Sequence, residues 1–212
     1  NIRKSENTIP TYIDFVDIAG LIKGSSAGEG LGNKFLAHIR EVDAIAHVVR
    51  CFEDDNITHV SSSINPLNDI VTIETELKLA DLETLQNKFN FLEKNKNGDK
   101  KIKAQMKVVE ELQNQLNNDD KINNQELKEE DKKFFNSLNL ITSKPLLYIC
   151  NVDEKSVVNG NRFSNSVKKK VNEEFSEIVV VSAAIESQIA EFDNKNEKLD
   201  MLKELVLNET TF

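Results

Sequence analysis

The chain has 212 residues, 39% of them hydrophobic and 30% charged, with a formal net charge of -9. That size supports one large core or one core carrying an insertion, while the acidic balance excludes a broad basic face that wraps nucleic acid, so DNA is not an expected partner. No apolar run approaches the roughly 20 residues that cross a bilayer, the two separated cysteines, Cys51 and Cys150, make neither a metal nor a disulfide framework, and the expected setting is cytoplasmic, without a membrane partner.

In chain order, 12–16 is a short β-rich apolar run that reads as a strand ending at Asp17. Five of the seven glycines follow at once, Gly20, Gly24, Gly28, Gly30 and Gly32, and then "NKFLAHIREVD" places Phe35, Leu36, Ile39 and Val42 at helical spacing. A second buried strand, "AIAHVVRCF" at 44–52, completes a parallel strand–helix–strand unit. From 69 to 139 the character changes to Lys, Glu, Asn, Gln and Leu. Leu82, Leu85, Phe89 and Leu92 form one seam, and Ile102, Met106, Val109, Leu112 and Leu116 form another, predicting an antiparallel helical hairpin that turns near Gly98. A third helix is expected around "KEEDKKFFNSLNL", with 114–127 as an exposed connection before it. Strands at 144–152 and 177–183, separated by an amphipathic helix, return to the α/β pattern. The expected division is a nucleotide-domain part at 1–68, a helical coiled-coil insertion at 69–139, and the remainder of the α/β domain at 140–212.

Three strand ends carry chemistry. "DIAG", from Asp17 to Gly20, is a D-x-x-G arrangement: at the C-terminal edge of a parallel sheet such an aspartate can hold Mg²⁺ through water, and the glycine N–H can approach a γ-phosphate. Alone it is a weak signal and more often an ordinary strand-to-helix turn, but five glycines exceed what a passive turn needs. "YICNVDE" ends an apolar strand in Asn151, with Glu154 three residues later, a carboxamide and a carboxylate suited to the edge of a purine ring. Guanine-specific proteins use N-K-x-D at such a position; here Val152 replaces the lysine and Glu154 the terminal aspartate. "VVVSAA" ends in Ser182, Ala183 and Ala184, small residues whose backbone N–H groups could approach a base.

In this order the motifs resemble the YchF or Obg-like ATPases, a branch of the translation-factor-related P-loop GTPases, over essentially the whole chain. The resemblance implies an α/β P-loop NTPase fold, a Ras-like parallel sheet with an inserted helical hairpin. It implies hydrolysis of ATP or GTP with Mg²⁺ as cofactor, and a ribosomal partner, both rRNA and ribosomal protein. It gives Asp17 and Gly20 the magnesium and γ-phosphate role, and makes the glycine segment with Leu21 a second switch. Leu21 then stands where related GTPases carry a water-orienting glutamine, and His59 in "DNITHV" becomes the candidate catalytic group, its alternative being a surface histidine after a strand. Asn151, Val152 and Glu154 match the base motif, and Ser182, Ala183 and Ala184 the fifth motif. His38 and His47 read as structural.

No G-x-x-x-x-G-K-[ST] loop occurs in the sequence. The resemblance places that loop before Asn1 and a TGS domain after the last residues, so the chain is expected to be an excerpt that by itself binds nucleotide weakly. Lys94, Lys96, Lys100, Lys101 and Lys103 near the hairpin tip are either an RNA-facing patch or a solvated helix end. The rival to a nucleotide hydrolase is a non-catalytic module that presents the helical arm to a protein partner.

Overall fold

The computed structural model describes residues 11–18, 31–54, 57, 64–96, 98–122, 127–173, 177–192 and 194–204. Helix α1, Leu31–Glu41, buries Leu36 and Ile39 one turn apart and feeds strand β1, Ile45–Arg50. Helices α2 (Pro66–Lys94), α3 (Lys100–Asn117) and α4 (Glu129–Ser137) then separate β1 from strand β2, Leu146–Asn151. Helix α5, Arg162–Glu173, leads to strand β3, Glu177–Val181, and helices α6 (Ala183–Ala190) and α7 (Lys195–Glu204) follow. The described sheet has the order β1–β2–β3 and is parallel throughout, with Arg50 opposite Asn151 and Asn151 opposite Val181 at its C-terminal edge.

Two expectations about strands are corrected. Residues 11–18 are not a strand: they pair with none of the described strands, and Tyr12, Ile13, Phe15 and Val16 stay largely exposed. A strand is defined by its ladder, so β propensity without a neighbouring edge leaves an extended chain. The β1 run is also not buried on both faces. As an outer strand of the described sheet it alternates, with Val48 62% exposed and Val49 2%, whereas central β2 buries Tyr148, Ile149 and Cys150 in succession. Both cysteines are free and fully buried, and the Cys51 thiol is pushed up by its hydrogen bond with Cys150 and by burial, which keeps it protonated.

The helical hairpin forms where the seams place it. Asn65 caps α2 by accepting from the Asn68 N–H at 3.2 Å, Pro66 occupies the first turn where its missing N–H costs nothing, and Asp99 caps α3 through the Lys101 N–H at 2.7 Å. The turn between them uses Gly98 at φ +82°. Leu85, Leu92, Val109, Leu112 and Leu116 pack with Phe134 and Phe135 of α4 into a core of their own. The 114–127 stretch is only partly the exposed connection expected of it: α3 runs on to Asn117 and Ile122 is buried.

The base of α2 belongs to the sheet. Ile70 packs with Val49, Cys150 and Val167, and the Glu74 carboxylate accepts from the Tyr148 hydroxyl at 2.5 Å and pairs with Lys170 at 3.3 Å. One turn above Leu77, the fully buried Asp81 carboxylate meets Arg40 of α1 at 2.9 Å. Asp81 also accepts from the backbone N–H groups of Ile141 and Thr142, at 3.1 and 2.8 Å, and from the Thr142 hydroxyl at 2.8 Å. Arg40 donates further to the carbonyls of Ala80 and Asn139 and to the Thr84 hydroxyl. Lys144 donates to the carbonyls of Arg40 and Val42. Every strong donor and acceptor in this buried cluster has a partner, the condition under which a buried charge pair holds elements in one arrangement.

Candidate functional site

The C-terminal edge of the sheet gathers the base-motif residues. Asn151 closes β2, and its side-chain Oδ1 accepts from the backbone N–H of Ala183 at the start of α6, at 3.0 Å. This fixes the carboxamide rotamer and leaves Nδ2 as the group able to donate to a ligand. Asp153 accepts from the Ser156 N–H at 2.8 Å, which caps the 3₁₀ turn at Glu154–Ser156 and sets the direction in which the exposed Glu154 side chain leaves the backbone. The Gln188 amide of α6 donates to Glu154 Oε1 at 3.2 Å. Asn151 and Glu154 are thus both tied to one helix.

Val152 is placed differently from its expected role. Its N–H continues the ladder to the Val181 carbonyl at 2.8 Å, and its side chain is buried among Cys51, Val167 and their neighbours. It supports the turn from beneath and does not present a side chain to a ligand. Ser182 is fully buried, and its Oγ finds no hydrogen-bond partner among the described residues. Ala183 and Ala184 are exposed in the first turn of α6.

Three residues absent from the sequence reading shape this edge. Arg50, opposite Asn151, donates to the carbonyls of Phe52, Asp54 and Ile57 and lies 4.8 Å over the Phe52 ring, so that one guanidinium gathers three carbonyls beyond β1. Asn161 caps α5 by accepting from the Phe163 and Ser164 N–H groups, both at 3.0 Å, and its Nδ2 donates to the Cys51 carbonyl at 2.7 Å. Gln188 is the third. An asparagine after a glycine and before a helix is a legible cap; the reach of Gln188 across 34 residues has no local signature.

Asp17 is exposed at the end of the 11–18 segment. A single exposed carboxylate fits Mg²⁺ held largely by water and phosphate oxygens; among the described residues no cluster of three metal-ligating side chains would make a protein cage. Gly20, Leu21, Gly24, Gly28, Gly30 and His59 lie outside the described residues. Gly32 falls within the first turn of α1, one residue after the helix begins, and not in the loop before it. His38 is exposed in the last turn of α1. His47 packs against Tyr148 with ring centroids 5.7 Å apart, and burial lowers its pKa to about 4.

The family model described as "50S ribosome-binding GTPase" matches residues 2–88. The "Ribosome-binding ATPase YchF" of Haemophilus influenzae is 47% identical over 209 residues, covering 98% of this chain and 57% of that protein. Its Bacillus subtilis namesake is 44% identical over 208 residues. The chain is homologous to the YchF and Obg-like ATPases. The Obg-like ATPase 1 of Oryza sativa, at 38% identity over 192 residues, extends that relation to a plant protein. The solved Schizosaccharomyces pombe YchF GTPase superposes with a TM-score of 0.74 at 31% identity, covering 88% of this chain and 52% of that one. The fold is therefore that of the P-loop GTPases, an α/β architecture on a parallel sheet. The chain spans a little over half the length of these YchF relatives.

Proposed function

We propose that this chain carries the base-reading edge and the helical arm of a YchF-type P-loop NTPase, one that hydrolyses ATP, or GTP, to the diphosphate and phosphate as a cytoplasmic switch on the ribosome. The observation that carries the reading is Asn151, whose Oδ1 is engaged by Ala183 N–H so that Nδ2 is available to the ring N7 of a purine. N7 is common to adenine and guanine, so Asn151 supplies affinity for purines and Glu154 is left to supply selectivity. The names of the YchF relatives, which describe ribosome-binding ATPases, support the same reading.

Asp17, Gly20 and Leu21 are assigned to the phosphate-facing switch, together with Gly24, Gly28 and Gly30, with Gly32 at the start of α1 and His59 as the group that orients water. Ala183 and Ala184 are assigned to the rim of the base pocket, and the buried Ser182 to the turn beneath it. Mg²⁺, arriving with the nucleotide, would be held by Asp17 through water and would neutralise phosphate charge. The division into α/β parts at 1–68 and 140–212 around a helical arm at 69–139 belongs to this proposal, as do the exposed tip lysines Lys94, Lys96, Lys100, Lys101 and Lys103 as an rRNA contact.

The test is Asn151→Ala in the full-length protein, with nucleotide binding measured by calorimetry. Loss of the amide should weaken ATP and GTP alike, by about tenfold for one hydrogen bond in a water-poor pocket. Unchanged binding of both nucleotides would overturn the assignment of this edge to a purine.

A further inference from the structure

We infer that Gln188 is the residue that sets base selectivity, by placing an amide donor beside the Glu154 carboxylate to make an acceptor–donor pair that fits adenine. This rests on the purine-binding reading of the edge and goes beyond it by naming the selecting group. The hydrogen bond between the two side chains has only one chemical sense: an ionised carboxylate cannot donate, so the Gln188 NH₂ faces Glu154 Oε1, at 3.2 Å.

The consequence follows from the purine edges. Guanine presents N1–H and a 2-amino group, two adjacent donors, and a carboxylate with both oxygens available accepts from both. Adenine presents a 6-amino donor beside N1, an acceptor. With Gln188 donating to Oε1, Glu154 offers Oε2 as acceptor, and the second N–H of the Gln188 amide is a donor alongside it. The pair is complementary to adenine and leaves one guanine donor facing another donor, a mismatch that disfavours guanine.

The placement is rigid enough for this role. Gln188 stands on α6, which is anchored by Ile185 and Ile189, each 2% exposed, against Leu202. The same helix holds Asn151 through Ala183 N–H. Glu154 leaves a 3₁₀ turn capped by Asp153. The selecting pair and the purine anchor therefore share one support. Gln188 acts through the geometry of Glu154 as well as by its own N–H, so it is a positioning and selecting residue, with no part assigned in hydrolysis.

The experiment is the ratio of ATP to GTP dissociation constants in the full-length protein carrying Gln188→Leu or Gln188→Glu, beside Asn151→Ala. Gln188 is exposed, so both substitutions are compatible with folding. Gln188→Leu removes the donor, and should shift the ratio toward GTP by about fivefold or more; Gln188→Glu, which replaces the donor by a second carboxylate, should weaken ATP further. A ratio unchanged in both variants, with Asn151→Ala weakening both nucleotides, overturns the role of Gln188 and leaves the purine site standing. If Asn151→Ala has no effect on either nucleotide, the purine site itself is wrong and this assignment falls with it.

Discussion

Asp81 shows what one side chain does at the junction of two packing environments. It lies on the buried stripe between Leu77 and Leu85, four residues from each, where an unpaired carboxylate would be untenable. Asp81→Ala removes the acceptor for Arg40 and for two backbone N–H groups. The expected loss is about 3–5 kcal/mol of unfolding free energy, read from urea denaturation, whereas Asp81→Asn, which keeps an acceptor oxygen, should lose less. His47 makes a pH prediction at the same scale. Its folded pKa of about 4 lies below its ordinary 6.5 because burial disfavours the imidazolium. As pH falls from 6.5 toward 4 the unfolded chain takes the proton first, so stability present above pH 6.5 is lost through that window. Comparing unfolding free energies at about pH 7 and about pH 5 should show a smaller drop for His47→Gln than for the wild type; an equal drop would refute the contribution of His47.

At the scale of elements, the arm has a core distinct from that of the sheet. Leu112, 2% exposed, packs with Leu85, Leu116 and Phe134, while Val49, Cys150 and Val167 belong to the sheet cluster. Leu112→Ala should cost about 2–5 kcal/mol, and its local signature is loss of amide-exchange protection in α3 ahead of β2. Two glycines separate backbone strain from crowding. Gly98 has φ +82° with open space where a methyl group would stand, whereas at Gly160, φ +68°, a Cβ would lie 2.8 Å from the Ser164 hydroxyl. Gly98→Ala should therefore cost about 1 kcal/mol. Gly160→Ala should cost more, because Ser164 also holds the Asn161 N–H in the α5 cap.

The seams and capping residues of these elements were legible because helical periodicity and N-caps are local signals. Leu85, Val109 and Leu116 face inward as their spacing predicts. The run at 12–16 was misread for the converse reason: propensity describes a segment's fitness for a ladder, and the ladder depends on another segment.

For the whole molecule, the charge distribution makes the remaining prediction. A chain of net charge -9 concentrates five lysines and one aspartate between 94 and 103, at the end of the hairpin remote from the sheet. If this tip meets rRNA, Lys100→Glu with Lys101→Glu and Lys103→Glu in the full-length protein should reduce ribosome co-sedimentation at low salt. The difference from wild type should shrink as ionic strength rises. Equal co-sedimentation at low salt would leave the lysines as a solvated helix end.

The sequence by itself determined most of the element types, the parallel α/β class, the helical seams and the positions of the base-motif residues, since each is written in residues close along the chain. Only the tertiary structure decided that Val152 turns into the core, that Asp81 meets Arg40 across 41 residues, and that Gln188 reaches Glu154 across 34. Those outcomes depend on which elements are brought side by side. A side chain's partner is chosen by distance in space, on which the local pattern of polarity is silent.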